Sequence, residues 1–374
     1  MNICITRSRK DPYSETFIRN QIKGLSDRAN IFSIHTGRLP ERNEQGQLLS
    51  PSLFWYLHKT LKLFIGRNNY FSNYGIKKFL LRHHIDIVLS NYGLSASHML
   101  PICRSLNIPL VAHFHGYDAS RHKTLKKYAG IYQRLFNYAS AIICVSVEMQ
   151  KRLITLGANE EKIFNIPYGV DLKKFKPATS KNSTPLFLSV GRFTDKKAPQ
   201  LTLSAFEKVW KKRSNARLIM IGSGGKLYQE CKDLTTQLNM AEAVSFTGAL
   251  PPDKVISYMQ QAHIFLQHSL TPFSGDMEGT PNSILEASAC GLAVVSTLHG
   301  GIKEAVIHDE TGFLVEEKDV EGMAGYMLEL FDQPELIKKM GEAGRMHIEE
   351  NYDLDKQTDK LFKVLQSISS LKNN

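Results

Sequence analysis

The sequence has 374 residues, 42% of them hydrophobic, with 47 Lys and Arg against 36 Asp and Glu; this exceeds the roughly 100–200 residues of one domain, so two are expected. The 11 excess positive charges are uneven: residues 1–178 hold 26 basic and 11 acidic side chains, residues 179–374 hold 21 and 25. No run approaches the ~18 apolar residues of a spanning helix, the five cysteines form no Cys-x-x-Cys pair and suit a reducing compartment, and the first residues lack the basic-then-apolar order of a secretion signal, which together argue against a disulfide scaffold, a membrane span and export.

In chain order, short apolar runs alternate with helical patterns. Strands are predicted at Ile3–Thr6, Ile31–His35, Ile85–Ser90, Leu110–Phe114, Ala141–Val145 and Lys162–Ile166, with helices at Tyr92–Leu106, Lys123–Tyr138 and Val147–Leu156. Strand–helix–strand repetition makes parallel βαβ units. Ile142-Ile143-Cys144-Val145 is apolar throughout, as expected of a strand covered on both faces. Residues 52–84 mix aromatics with cations (Phe54, Trp55, Lys59, Lys62, Phe64, then Lys77, Lys78 and Arg82). Two readings stand: a helix lying in a membrane interface, or an amphipathic helix packed on the sheet. The polar, proline-bounded stretch Lys176–Pro185 reads as a linker. The pattern then restarts, with strands at Leu186–Val190, Arg217–Ile221, Val244–Phe246, Ile264–Gln267 and Leu292–Ser296. Helices follow at Pro199–Lys211, Lys226–Asn239, Pro252–Gln261, Pro281–Ala289, Val320–Phe331, Pro334–Glu349 and Leu354–Ser370. The expected domains are 1–178, completed by a C-terminal helix at 354–374, and 184–351.

The chemistry concentrates in Glu278-Gly279-Thr280-Pro281-Asn282-Ser283-Ile284-Leu285-Glu286. Pro281 suits the first position of a helix, where its missing N–H costs nothing. The amides of that helix start, with Gly279 and Thr280 leading in, make an anion site. Glu278 lies before the helix and Glu286 inside it, and carboxylates accept pairs of sugar hydroxyls. Two such carboxylates could instead be the acid/base pair of a glycoside hydrolase, and their spacing alone does not decide. In the first half, His113-Phe114-His115-Gly116-Tyr117-Asp118 follows a strand, at the end where open α/β sheets bind ligands. The two histidines have no matching third ligand, so no metal site is expected. The basic first half meets an anionic partner, or carries lysines for solubility.

The phrase from Glu278 to Glu286, continued by Gly291, Thr297, Gly300-Gly301, Glu304 and Thr311-Gly312, resembles the C-terminal signature of glycosyltransferase family four, and further landmarks extend the likeness over nearly the whole chain. The resemblance implies an α/β fold of GT-B type, two Rossmann-like domains with parallel sheets facing an interdomain cleft. It implies that Glu278 binds the donor sugar and Glu286 the nucleotide ribose. Ser189-Val190-Gly191-Arg192-Phe193-Thr194-Asp195-Lys196-Lys197-Ala198 is similar to the family's diphosphate loop, which assigns Arg192 and Lys197 to the diphosphate; Ala198 stands where the family has glycine. His115 corresponds to the histidine that faces the donor sugar. Gly222 and Ser223 match a second glycine turn at the donor site, and Leu250 the segment meeting the base. Gly279, Thr280, Pro281 and Asn282 would hold phosphate. The usual Gly-Gly loop after the first strand is replaced by Thr6–Ile18, whose Ser-Glu-Thr-Phe-Ile run, with Asn20-Gln21-Ile22, resembles the branch making bacterial exopolysaccharide or capsule-type glycans.

The resemblance therefore implies a retaining hexosyltransferase with no cofactor and no metal, using a UDP- or GDP-linked sugar and a glycan or lipid-linked acceptor. It would be cytoplasmic, peripheral on the inner membrane face through its basic first domain, with no nucleic-acid partner. An epimerase or phosphorylase on the same fold, and a catalytically silent nucleotide-sugar-binding subunit, are the alternatives.

Overall fold

The computed structural model describes residues 1–7, 16–35, 41–51, 70–178 and 184–372. The chain divides into two compact units, Met1–Pro167 with Asp355–Asn374, and Tyr168–Leu354. The division comes before the predicted linker: residues 168–178 belong to the second unit. Two backbone bonds account for this, Val170 N–H to the Tyr352 carbonyl (2.8 Å) and Leu354 N–H to the Val170 carbonyl (3.1 Å). Of the predicted linker, residues 179–183 fall outside the described residues, as do residues 52–69 of the aromatic–cationic stretch and residues 8–15 of the loop after the first strand.

In the first unit the strands are β1 (Asn2–Arg7), β2 (Asn30–His35), β3 (Arg42–Asn43), β4 (Ile87–Asn91), β5 (Leu110–His113), β6 (Ala141–Cys144) and β7 (Ile163–Asn165). They run in the order β3-β2-β1-β4-β5-β6-β7, all parallel except the β2–β3 pair. The helices are α1 (Thr16–Ser26), α2 (Tyr70–Arg82), α3 (Gly93–Leu106), α4 (Tyr117–Ser120), α5 (His122–Tyr138) and α6 (Val147–Thr155). Ile3, Ile5, Ile87, Leu89, Val111 and Ile143 alternate along the strands into one core, the period-two pattern of a sheet face.

In the second unit β8 (Leu186–Val190), β9 (Arg217–Ile221), β10 (Val244–Gly248), β11 (Ile264–Leu266), β12 (Ala293–Thr297) and β13 (Gly312–Val315) form an all-parallel sheet in the order β10-β9-β8-β11-β12-β13. The helices are α7 (Pro199–Lys212), α8 (Gly225–Gln237), α9 (Pro252–Gln261), α10 (Asn282–Ala289), α11 (Ile302–Ala305), α12 (Val320–Asp332) and α13 (Pro334–Asn351). Apolar clusters form on both sheet faces, one around Phe187, Phe206 and Phe331, the other around Leu188, Phe265 and Ile284.

The last helix, α14 (Leu354–Lys372), returns to the first unit. Leu361 and Leu365 enter its core, and Arg28 donates to Asp359 at 2.7 Å. Gly24 of α1 sits so close to Thr358 that an added Cβ would stand 2.8 Å from it.

In both sheets the strand order reverses beside the first strand of the unit, between β1 and β4 and between β8 and β11. Chain connections leave in opposite directions there, opening a crevice at the carboxyl ends of those strands. The functional candidates are therefore sought at the ends of β1, β4 and β5, and of β8 and β11.

Candidate functional site

At the end of β8, Gly191 N–H donates to the Ile221 carbonyl (2.9 Å) and Phe193 N–H to the Ser223 carbonyl (3.2 Å). Gly222 N–H reaches the Gly248 carbonyl at 2.9 Å, so three of the predicted donor-site segments are laced together. Gly222 (φ +148°) cannot be replaced freely, because a Cβ there would collide with the Gly191 carbonyl. Arg192 projects from this loop, exposed. Leu250 is half-buried against the apolar cluster below.

The loop continues through a 3-10 turn, Asp195–Lys197, into Ala198 at φ 34°, ψ 55°. A left-handed conformation costs a residue with a Cβ about 1–2 kcal/mol, and this alanine adopts it at the position where the family has glycine. Pro199 then opens α7. The turn sends the two lysines into neighbouring contacts. Lys196 Nζ lies 3.1 Å from Asp276 Oδ1 and 3.3 Å from the Met277 carbonyl. Lys197 Nζ donates to Gln267 Oε1 at 2.9 Å and lies 3.2 Å from Glu278 Oε1.

Gln267, just past β11, is the hub. It is buried, its Oε1 also accepts the Ser283 hydroxyl (3.0 Å), and its Nε2 donates to Ser269 Oγ (2.9 Å). Its orientation is fixed by these partners, since the amide oxygen faces the ammonium. Glu278 has a side chain 9% exposed. Burial alone would raise its carboxyl, but the ammonium groups of Lys196 and Lys197 outweigh that and hold it at about 2. Glu286 is different: partly buried on α10, it is pushed up to about 7 by desolvation, tempered only by Lys197. One glutamate is thus a fixed anion and the other is poised near neutrality.

The helix start differs from expectation by one residue. Pro281 is the cap (φ −83°, ψ 80°) and Asn282 begins α10. Asn282 N–H turns back to the Thr280 carbonyl (3.1 Å), and Ile284 and Leu285 N–H both reach the Pro281 carbonyl. The approach coil has closed on itself, so the row of free amides expected of Gly279–Asn282 is shorter than at an ordinary helix start, where four N–H groups are open. Thr280 is buried.

In the first unit the end of β5 carries His113 and His115, rings 4.2 Å apart. Both are desolvated, His113 down to about 3 and His115 well below the ordinary 6.5, so both are neutral. The network fixes their tautomers. Asn91 Nδ2, at the end of β4, donates to the Thr6 carbonyl and to Gln21 Oε1, each at 3.2 Å. Its Oδ1 therefore accepts from His115 Nε2–H at 2.9 Å. Gln21 then presents Nε2 to His113 Nδ1 at 3.1 Å. Asp118 gathers the amides of Gly93, His115 and Gly116 at 2.9–3.0 Å, pinning the His-Gly turn. Tyr92, at φ +70°, places its ring edge-on to His115 (4.7 Å). A bulky residue in that conformation marks a site that the surrounding structure over-determines.

His115, Arg192, Lys197, Glu278 and Glu286 are all visible in the sequence, and the second unit brings Lys197, Glu278 and Glu286 into electrostatic contact. Gln267, Asn91 and His299 are not among the residues the sequence singles out, and Gln21 enters only as part of the Asn20-Gln21-Ile22 run, with no role assigned to it. Gln267 and Asn91 each stand at the carboxyl end of a predicted strand; that position was the available signal.

Comparison with known proteins agrees with this layout. The family described as Glycosyl transferases group 1 matches residues 171–347, and Glycosyltransferase Family 4 matches residues 14–174. The amylovoran biosynthesis glycosyltransferase AmsK of Erwinia amylovora is 30% identical over 76% of this chain and 70% of its own length. The chain belongs to glycosyltransferase family 4. Another relative of this family 4 glycosyltransferase is the putative colanic acid biosynthesis glycosyltransferase WcaL of Escherichia coli, 32% identical over 68% of this chain; the matched stretch spans 63% of WcaL. Among solved structures, the glycosyltransferase from Rickettsia africae has a TM-score of 0.77 at 21% identity, covering 100% of this chain and 99% of that one. Anabaena Alr3699/HepE, in complex with UDP and glucose, has a TM-score of 0.77 at 17% identity, covering 98% of this chain and 100% of that one. These TM-scores establish the fold, which is GT-B. No helix of the described residues is long and apolar enough to cross a membrane.

Proposed function

We propose that this family 4 glycosyltransferase moves a sugar from a nucleotide diphosphate sugar to a glycan or lipid-linked acceptor during bacterial surface polysaccharide synthesis, with retention of anomeric configuration and no metal. The observation that carries the reading is the Lys197 ammonium, clamped between Gln267 (2.9 Å) and Glu278 (3.2 Å) at the β8/β11 switch, with the exposed Arg192 beside it on the same loop. Breaking a glycosyl–phosphate bond builds charge on the departing diphosphate, and cations fixed beforehand lower that barrier. Glu278, ionised at any ordinary pH, accepts hydroxyl hydrogens of the sugar, and Glu286 accepts those of the ribose. His115 is neutral with its Nε2 proton committed to Asn91, so it acts as a hydrogen-bonding group and not as a cation. The acceptor proton passes to the leaving phosphate oxygen.

The basic first domain supports contact with anionic lipid at the inner membrane face: α5 exposes Lys123, Lys126, Lys127 and Arg134, and each such cation near the surface contributes on the order of 1 kcal/mol. The test is incubation with UDP-glucose and with GDP-mannose, each with and without a lipid-linked saccharide acceptor, in buffer containing EDTA. Nucleotide release that rises with acceptor, and a product with the donor's anomeric configuration by NMR, are expected. Isomerised donor without transfer indicates an epimerase, and sugar phosphate formed from inorganic phosphate indicates a phosphorylase.

A further inference from the structure

His299 follows β12 with its side chain fully buried. Its two nitrogens make opposite contacts. Nε2 receives the backbone N–H of Glu278 at 3.1 Å. Nδ1 lies 2.7 Å from Glu317 Oε1. Since an amide can only donate, Nε2 is bare and Nδ1 carries the proton, which it gives to Glu317. Glu317 is itself tethered by Thr271, whose N–H reaches Oε2 at 2.9 Å and whose hydroxyl reaches Oε1 at 3.1 Å. The amide and the imidazole hold this carboxyl below its ordinary range against the opposing effect of burial, so it remains an anion and keeps the imidazole in that tautomer.

The next residue completes the grip. Gly300 (φ +48°) passes so near the Glu278 carbonyl that an added Cβ would stand 2.5 Å from its oxygen. His299 thus bonds the peptide before Glu278 and Gly300 packs against the peptide after it, while the side chain is left to Lys197. Glu278 Oε1 is fully buried, and the lysine contact to it is ionic, without a well-aligned hydrogen bond. The carboxylate depends on its backbone for its aim.

We propose that His299, oriented by Glu317, is a positioning residue that aims Glu278, and that it governs the preference for a sugar-bearing nucleotide over the bare nucleoside diphosphate. The inference rests on the reading of Glu278 as a ligand of the donor sugar. If only the backbone of Glu278 is released, the diphosphate and ribose contacts of Arg192, Lys197 and Glu286 stay in place. A loss confined to the sugar is the consequence.

The experiment is calorimetric titration of the full chain with UDP, UDP-glucose, GDP and GDP-mannose, using whichever pair binds. The variants are His299→Leu, His299→Gln and Glu317→Gln, with Glu278→Gln and Arg192→Ala as controls. His299→Leu removes the acceptor, and a loss of about tenfold in sugar-nucleotide affinity is expected, the scale of one buried hydrogen bond, with bare nucleotide changed less than about twofold. Gln carries an amide oxygen that can reach the Nε2 position, so His299→Gln is expected to recover most of the loss. Glu317→Gln, lying nearer the surface, is expected to show the same selective loss at about threefold, and it serves if His299→Leu does not fold. Equal loss of both ligands, no loss of either, or a Gln variant as poor as Leu overturns the proposal. If Glu278→Gln and Arg192→Ala also leave every affinity unchanged, or the wild type binds none of the four, the reading of the donor site itself falls and this inference with it. Losses in the two controls with none at His299 and Glu317 defeat only the inference.

Discussion

The two units solve the same architectural problem with opposite chemistry. Each places polar residues where its sheet order reverses, but around its two histidines the first unit gathers neutral groups, with the Asp118 carboxylate under the turn and an Arg7–Glu44 pair (2.6 Å) at the end of β1, and the second gathers opposed charges. At the ends of β4 and β5, His115, Asn91, Gln21 and His113 are joined in that order by a chain of directional hydrogen bonds, with every member uncharged and His113 Nε2 buried without a partner. At the ends of β8 and β11, Lys196, Lys197, Glu278 and Asp276 neutralise one another by Coulomb attraction over 3.1–3.2 Å. A neutral network has one arrangement and is disrupted by losing any partner. A charge cluster can exchange a partner for a ligand of the same sign. The first arrangement holds a shape, and the second is able to exchange an internal anion for the diphosphate of the proposed donor.

That contrast can be broken in five places. The largest effect is expected from Glu278→Ala, which should lower transfer by about 100-fold, the scale of loss when a substrate is no longer held in its reactive position; steady-state assays with the preferred donor check it. The two glutamates should next show opposite pH signatures. Glu278, depressed to about 2, contributes stability that is present above its ordinary 4.5 and lost as pH falls towards 2. Glu286, raised to about 7, is easier to ionise in the unfolded chain, so stability falls as pH rises from 4.5 through 7. Urea titrations should show the latter slope, and Glu286→Gln should flatten it. Third, Gln21→Leu strands the Asn91 amide and His113 Nδ1 and should destabilise the protein by about 2 kcal/mol, measured by the same titrations. Fourth, Arg192→Ala should slow turnover about tenfold without moving the unfolding midpoint, because that side chain is exposed. The smallest effect is a gain: Ala198→Gly should stabilise by about 0.5–1 kcal/mol, the relief of the left-handed strain less the added freedom of the unfolded chain.

Much of the fold is legible in the sequence because its causes are local. Apolar runs such as Ala141–Val145 and Leu186–Val190 can only be buried strands, and all strands predicted from such runs formed, shifted at most by a residue or two. Five of the described strands and α-helices escaped for physical reasons, two of them the single-turn helices Tyr117–Ser120 and Ile302–Ala305, too short to show a period. Gly312–Val315 is a strand of four residues opened by a glycine, too short to show a period. Thr16–Ser26 buries only Ile18 and Leu25 along its length, so its stripe is sparse. Arg42–Asn43 is a strand only through pairing with β2. At the site, Glu278, Glu286 and Lys197 were visible as chemistry in a motif. Gln267 and His299 were not, because their importance lies in what touches them: Gln267 meets Lys197 from 70 positions away, and His299 meets Glu278 from 21.

The closing helix has a consequence for biosynthesis. Ile3, Ile5 and Leu25 leave the ribosome long before Leu361 and Leu365, with which they share one core. The first unit must wait, with one apolar face uncovered, while the whole of the second is translated. Nascent chains halted before residue 354 should accordingly be sensitive to protease and sought out by chaperones that bind exposed hydrophobic surface, although the second unit already has every strand it needs.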